Sequence, residues 1–345
     1  MKVWVPIDIA FALLIFSALT ICAPSRLGDS ALFLRDHNSR RETMLKRGLV
    51  LAACMLASVG AIAADTDFFN AVEHNYADNN GVSLHYVTLG AGDPMLFVHG
   101  FPDVWFSWAH QMDGLKDDFK VAAMDMRAYN KSDAPEGVEN YSMELLMGDV
   151  TSVIDALGGN VTLVAHDWGA GIAWRVAMYY PDKVNKLIIC NLTHPTGYAT
   201  VRANATPEQA ANTDYIRQFQ DPNAAERFNP TLLATIAAGA DNPNLEMYKE
   251  AFERSYVDGM LNYYRASWSG FQGDEIEEVP QLPMPVLQFH GLQDTAVDKD
   301  GLRDTWNWID ADYTLVSVPE AGHWVQREAA EIVTETMKWW LKARQ

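Results

Sequence analysis

The chain has 345 residues, 49% of them apolar, enough to bury a full core in one large domain or two mid-sized ones. Its formal net charge is −19, and downstream of residue 64 the balance is 19 Lys/Arg against 41 Asp/Glu. That anionic excess excludes nucleic acid and anionic membrane surfaces as partners. It also disfavours a small anionic substrate unless a local cationic pocket overrides the global field, and no basic run builds one.

Residues 44–65, MLKRGLVLAACMLASVGAIAAD, have a basic start, an apolar stretch and a small-residue exit at Ala61-Ile62-Ala63. This is the layout of a signal peptide cleaved near Ala63–Ala64, so residues 1–64 read as a leader and the expected destination is export, periplasmic or secreted. The signal lies 43 residues deep, which makes Met44 the expected start and residues 1–43 an extension ahead of it. The alternative is a membrane anchor through residues 3–22, about long enough to span a bilayer but interrupted by Pro6 and Asp8. Cys22 and Cys54 belong to the leader. Cys190 alone remains downstream, so no intrachain disulfide forms there, and it reads as a buried strand residue.

From about residue 82 the chain alternates strands and helices. SLHYVTLG (83–90), PMLFVHG (94–100) and FKVAAMDM (119–126) are predicted strands, followed by a helix over YSMELLMGDVTSVIDAL (141–157). The strand VTLVAH (161–166) leads into the small-residue helix GAGIAWRVAMYY (169–180), and NKLIICNL (185–192) closes this half. Residues 196–278 break the pattern: they are helix-rich, with no strong strand. Strands then resume in PMPVLQFHG (283–291) and DYTLVSVPEAGH (312–323), before a final amphipathic helix EAAEIVTETMKWWLKAR (328–344). Continuous apolar strands alternating with helices predict an α/β fold, a mostly parallel sheet flanked by helices. The core then comprises residues 65–195 and 279–345, and 196–278 form an inserted helical cap over the carboxyl edge, where open α/β sheets hold ligands.

The sharpest signal is VTLVAHDWGAG (161–171). A strand that turns straight into a helix forces its corner residue outward above the sheet, and that residue here is Asp167. Taken alone, Asp167 also reads as a helix cap. Two downstream residues argue otherwise. Asp294 follows a strand in FHGLQDTAV, and His323 follows the next in EAGHW. Nucleophile, acid and histidine in that order fit a hydrolase on this scaffold, the acid fixing the tautomer of the imidazole. In FVHGFPD (97–103) a tight loop follows a buried strand, and Pro102 suggests a cis bond. The Phe101 N–H can join the Trp168 N–H as an oxyanion hole. His99, His166 and His323 lack metal-ligand spacing and no P-loop appears, so neither metal nor cofactor is expected.

HGFPDVWFSW, DMRAYNKSDAP, HDWG and the late GH together resemble the α/β-hydrolases of the soluble epoxide hydrolase type, over residues 75–345. The family pattern has glycines where Ala128 and Asn130 stand and often Glu where Asp103 stands. The resemblance implies two cap tyrosines that hold or protonate the ring oxygen. LNYYRASW (261–268) puts Tyr264 at one position and TDYIRQFQDP (213–222) puts Tyr215 at the other, with Tyr198, Tyr256 and Tyr263 as rivals.

An aspartate nucleophile itself narrows the chemistry. Attack on a saturated carbon by serine would leave an ether with no carbonyl for water to attack. Attack by a carboxylate leaves an alkyl ester whose carbonyl belongs to the enzyme, and water deprotonated by histidine can open it. The expected substrate is a small apolar epoxide, consumed with water, with Phe101 and Trp168 also lining its site. A haloalkane dehalogenase is the alternative, since Trp168 would serve a halide, but Phe101 offers no second side-chain donor. Fluoroacetate dehalogenases carry arginines where Trp168 and Gly171 stand, which argues against an acid substrate. An exported binding protein without turnover is the third reading, and the intact Asp167–Asp294–His323 set argues against it.

Overall fold

The computed structural model describes residues 66–268 and 279–345. The leader at 1–64, with Met44, the Ala63–Ala64 cleavage and the alternative anchor at 3–22, lies outside the described residues. So does the last stretch of the 196–278 insertion. No helix among the described residues is long and apolar enough to cross a membrane.

After a short helix α1 (Thr66–Ala71), the strands β1 (Glu73–Asn79), β2 (Val82–Leu89), β3 (Pro94–Val98), β4 (Lys120–Met124), β5 (Val161–His166), β6 (Val184–Cys190), β7 (Val286–Gly291) and β8 (Tyr313–Val318) form one sheet. Their spatial order is β1-β2-β4-β3-β5-β6-β7-β8. The six strands from β4 to β8 run parallel, while β1 and β2 are antiparallel to their neighbours. The sequence reading did not include β1. Its EHNYADN is polar and buries only alternate residues at its far end, as an edge strand does. By contrast β5 and β7 are buried at every position, which is why they read as continuous apolar runs.

Between β3 and β4 lies α2 (Ala109–Leu115), and between β4 and β5 lies α3 (Met143–Ala156), whose first turn is capped by Ser142. The nucleophile-corner helix α4 (Asp167–Tyr179) follows β5 directly. Trp108, Trp174 and Trp340 are among the largest fully buried side chains, so several of the 11 tryptophans fill the core.

Between β6 and β7 the described residues form α5 (Pro195–Ala203), α6 (Pro207–Asn212), α7 (Asp214–Gln218), α8 (Pro230–Ala238), α9 (Leu245–Arg254) and α10 (Val257–Ala266). Pro195, Pro207 and Pro230 each open a helix, where their missing N–H costs nothing. Helix α10 and its N-cap Tyr256 are tied to the loop after β4. The Tyr263 hydroxyl donates to the Arg127 carbonyl (3.0 Å) and the Tyr256 N–H to the Ala128 carbonyl (2.9 Å). The chain ends in α11 (Val325–Glu328) and α12 (Ala330–Lys342), two helices where one was predicted.

Candidate functional site

The parallel strands bring five chemically relevant chain segments to one edge of the sheet. β5 passes into α4 without an intervening residue, and Asp167 at the junction has φ of +50°. A non-glycine residue in the left-handed region costs roughly 1–2 kcal/mol, so the surrounding packing must hold it there. Gly169 is part of that packing, since a Cβ on it would meet the His99 carbonyl oxygen at 2.3 Å. Gly171 is not: its Cβ would meet nothing nearer than Leu192 Cδ2, at 3.4 Å.

Each carboxylate oxygen of Asp167 has its own neighbour. Oδ1 accepts the Phe101 N–H at 2.7 Å, from the loop after β3, where the Phe101–Pro102 peptide is cis. Oδ2 lies 3.4 Å from His323 Nε2. The other imidazole nitrogen, Nδ1, donates to Asp294 Oδ2 at 2.8 Å. The Asp294 side chain is fully buried, and its Oδ1 accepts the N–H groups of Ala296 (2.7 Å) and Val297 (3.0 Å).

Electrostatics follow from these contacts. Burial favours the neutral form of Asp294, but the His323 charge, hydrogen bonds from His323 and Asn191, and the Val297 N–H outweigh it and take the pKa down to about 2. Burial likewise opposes the imidazolium of His323, yet the Asp294 charge and the hydrogen bonds with Asp167 and Asp294 raise its pKa to about 10. Asp167 is also held below the ordinary carboxylate value: burial opposes this, and the His323 hydrogen bond and charge, followed by His166 and the Phe101 N–H, prevail. The resting pair is therefore an ion pair.

Tyr264 on α10 and Tyr215 on α7 line the same cavity as Asp167 and Trp168, which has a volume of about 770 Å³. Their rings are 6.2 Å apart, and the Tyr264 ring packs edge-on against Trp168 at 5.0 Å and Phe101 at 5.4 Å. Burial pushes both phenols well above their usual range, and the neighbouring phenols and Asp167 add to the effect. Both remain protonated near neutral pH and can donate. Of the rivals, Tyr198 lines the cavity too, Tyr263 is committed to Arg127, and Tyr256 is exposed. Adjacent tyrosines in LNYY are told apart only by which way the helix turns them.

Two further residues take part that the sequence reading passed over. Asp167 and Asp294 do not follow adjacent strands: β6 lies between β5 and β7 and is followed directly by Asn191. Its Nδ2 donates to Asp294 Oδ2 (2.7 Å) and the Gly322 carbonyl (2.9 Å), while its Oδ1 accepts the Gly291 N–H (2.9 Å). One amide thus ties the acid loop, β7 and the histidine loop together. The signal for it was a lone Asn directly after an apolar strand in IICNL. The second is His166, whose pKa burial and the His323 charge lower to about 3. Neutral, it donates from Nε2 to the His323 carbonyl at 2.8 Å. Cys190 is buried in β6, and burial pushes its thiol pKa up. Among the described residues no group of three or more His, Cys, Asp or Glu is placed to hold a metal ion.

A family described as "alpha/beta hydrolase fold" matches residues 93–330. The chain belongs to the α/β-hydrolase fold family. Within that family it is similar to "Epoxide hydrolase 2" of Caenorhabditis elegans, at 33% identity over 77% of this chain and 79% of that one. "Epoxide hydrolase 4" of Mus musculus is 30% identical over 74% of this chain and 75% of its own. The crystal structure of a Bacillus megaterium epoxide hydrolase in complex with an inhibitor superposes with a TM-score of 0.72 at 33% identity, covering 78% of this chain and all of that one.

The α/β-hydrolase scaffold also accounts for the two departures in DMRAYN. Ala128 (φ +72°) and Asn130 (φ +46°) sit in the left-handed region that favours the glycines of the epoxide hydrolase pattern. Asn130 is held there by its side chain, which donates to Asp125 Oδ2 (2.8 Å) and accepts from Arg254 (2.9 Å). Asp103, the third departure, is fully buried; burial raises its pKa to about 6, opposed by Arg327.

Proposed function

We propose that this α/β-hydrolase opens an epoxide to a vicinal diol through an ester on Asp167. One observation carries the reading: a carboxylate at the strand–helix corner, flanked by a paired His323 and a backbone N–H, opens into a cavity bearing two protonated tyrosines. The relatives named epoxide hydrolases support it.

Asp167 attacks a ring carbon and the carbon–oxygen bond of the epoxide breaks. Tyr264, with Tyr215 beside it, gives a proton to the departing alkoxide. Ester formation removes the Asp167 charge, so His323 loses one of the two carboxylates that raised its pKa; its proton passes to the tyrosinate left by ring opening, and neutral Nε2 can then act as a base. Nε2 takes a proton from water, and the hydroxide attacks the ester carbonyl. The N–H groups of Phe101 and Trp168 hold the tetrahedral oxyanion. Its collapse releases the diol, whose leaving oxygen takes the proton of the newly formed acid, and restores the Asp167 carboxylate beside a His323 protonated as at rest. Asp294 keeps the imidazole oriented and stabilises its cation throughout.

The test is a product assay with styrene oxide and a bromoalkane of similar size. Diol from styrene oxide with little bromide release supports the proposal. Bromide release without diol favours the dehalogenase alternative, and turnover of neither favours a binding protein. Export through the 1–64 leader is proposed alongside. Sequencing the N-terminus of the protein made in its natural host should find Ala64 or Asp65, and an unprocessed Met1 would refute it.

A further inference from the structure

The segment that follows β4 holds the core on one side and the cap on the other. On the core side the Met126 N–H donates to His99 Nε2 at 3.1 Å, so the imidazole proton sits on Nδ1 and is donated to the Gly100 carbonyl at 2.9 Å. Asp125 Oδ1 accepts the Trp105 N–H at 3.1 Å, and Oδ2 faces His85 Nδ1 at 2.7 Å. The loop that presents the Phe101 N–H to Asp167 is thereby gripped before and after Phe101. On the cap side the Asn130 N–H donates to Ser255 Oγ at 2.8 Å. A Cβ at position 259 would lie 2.5 Å from the Ala128 methyl, closer than two such carbons approach, so glycine there lets α10 close onto this segment.

The Asn130 side chain joins the two sides. Its Nδ2 donates to Asp125 Oδ2 at 2.8 Å, and its Oδ1 accepts from Arg254 Nε at 2.9 Å. An amide set between a carboxylate and a guanidinium is polarised by both, and charge-assisted bonds of this kind are roughly twice as strong as neutral ones. Asn130 is buried at a φ of +46°, a backbone that glycine adopts more readily, so the amide link is what asparagine adds. Arg254 ends α9 and α10 begins at Val257. Holding Arg254 and Ser255 in place therefore fixes the start of the helix that carries Tyr264.

We propose that Asn130 is a positioning residue for epoxide opening: by joining Asp125 to Arg254 it sets where α10 holds the Tyr264 phenol relative to Asp167. This deepens the proposed epoxide hydrolysis and rests on it. Ring opening needs the carboxylate and the phenol at the two ends of one carbon–oxygen bond at the same moment, and a misplacement of about 1 Å from such a geometry can cost about 10²-fold. Hydrolysis of the ester needs His323, Asp294, water and the N–H groups of Phe101 and Trp168, all of them on the core. The contacts at Trp105 and His99 do not pass through Asn130. Loss of the Asn130 amide therefore separates the two steps, slowing the first and sparing the second.

The test follows ester formation and ester hydrolysis separately, by rapid quench with styrene oxide, in the wild type, Asn130→Gly, Arg254→Met and Arg254→Lys. Asn130→Gly keeps the left-handed backbone and removes the amide; it should slow ester formation by about 10-fold and change hydrolysis by less than about 2-fold. Arg254 is exposed, so its variants leave the core intact. Arg254→Met should slow ester formation by about 3-fold or more, add nothing when combined with Asn130→Gly, and exceed the loss in Arg254→Lys, which keeps a donor. In a Tyr264→Phe background Asn130→Gly should cost less than about 2-fold more, because the phenol it positions is gone. Ester formation unchanged or faster in Asn130→Gly, equal slowing of both steps, or the same loss with and without the Tyr264 hydroxyl overturns the proposal. A second arm needs no turnover: amide hydrogen exchange across residues 254–266 should quicken by about 10-fold in Asn130→Gly and Arg254→Met while β5 stays protected. Exchange unchanged in both variants counts against the anchor. If the wild type opens styrene oxide at a rate that neither variant alters, the role of Asn130 alone fails. If the wild type opens no epoxide, epoxide hydrolysis fails and the positioning role falls with it, whatever the exchange shows.

Discussion

The Asn191 side-chain amide donates to the same Asp294 oxygen that accepts the proton of His323 Nδ1, at 2.7 Å beside 2.8 Å. The acid is thus held from two sides, and the loop carrying the histidine is held through the Gly322 carbonyl. Asn191→Ala leaves that carbonyl and the Gly291 N–H without their partner. A loss of about 1–3 kcal/mol follows, a fall in Tm of several degrees for a domain of this size. Hydrolysis of the ester should slow more than its formation, because only the second step needs an aligned base. Rapid-quench measurement of both steps checks this, and equal slowing would reduce Asn191 to a purely structural role.

His323→Gln should form the ester but not release it. Intact-protein mass spectrometry after epoxide addition should show one added substrate mass, since ring opening by addition loses no atoms. Recovery of unmodified protein with full turnover would remove His323 from the base role. Asp167→Asn should show no added mass and at least roughly 10³-fold lower turnover, as loss of a covalent nucleophile demands.

Tyr264→Phe should slow ester formation from an epoxide by about 10²-fold, the usual scale for a lost general acid. Bromoalkane attack needs no proton and should change far less. Equal slowing of the two substrates would mean that the phenol only packs against Trp168 and Phe101.

The charged pair sets a pH window for stability. Asp294 falls from an ordinary 3.8 to about 2 on folding, so its stabilisation is complete above about pH 4 and is lost as pH drops toward 2. His323 rises from 6.5 to about 10, so its contribution is complete below pH 6.5 and is lost as pH climbs through 10. The Tm difference between wild type and His323→Gln should therefore be largest between pH 4 and 6.5 and shrink steadily toward pH 10. A difference independent of pH would contradict the ion pair.

Gly100→Ala and Gly171→Ala make a contrasting pair. A Cβ at Gly100 would lie 2.4 Å from Asp167 Cβ and Oδ1, so the corner must shift and turnover should collapse. At Gly171 the nearest atom is 3.4 Å away, and replacing a helical glycine should leave Tm unchanged or raise stability by up to about 1 kcal/mol. Thermal melts and styrene oxide turnover on both variants decide the matter.

Much of this was legible in the chain itself. The run from buried strand to Asp167 to small-residue helix is local, because a sharp corner constrains its own few residues through steric contact. The same holds for the apolar runs of β5 and β7, which are buried on both faces and so carry no alternation to misread. The order of Asp167, Asp294 and His323 could also be read, since each follows its strand closely.

What lay beyond the sequence depended on direction and neighbourhood. Polar β1 joins the sheet because β2 offers it an open edge, not because its own residues demand a strand. Asn191 matters only once β6 is seated between β5 and β7, so that its amide meets two loops from 100 or more residues away. Tyr263 and Tyr264 are equivalent in composition, and the pitch of α10 sends one to the Arg127 carbonyl and the other into the cavity. Residue types declare what chemistry is possible; the assembled backbone decides which groups share a space, since burial and hydrogen-bond geometry act over ångströms that the linear chain does not contain.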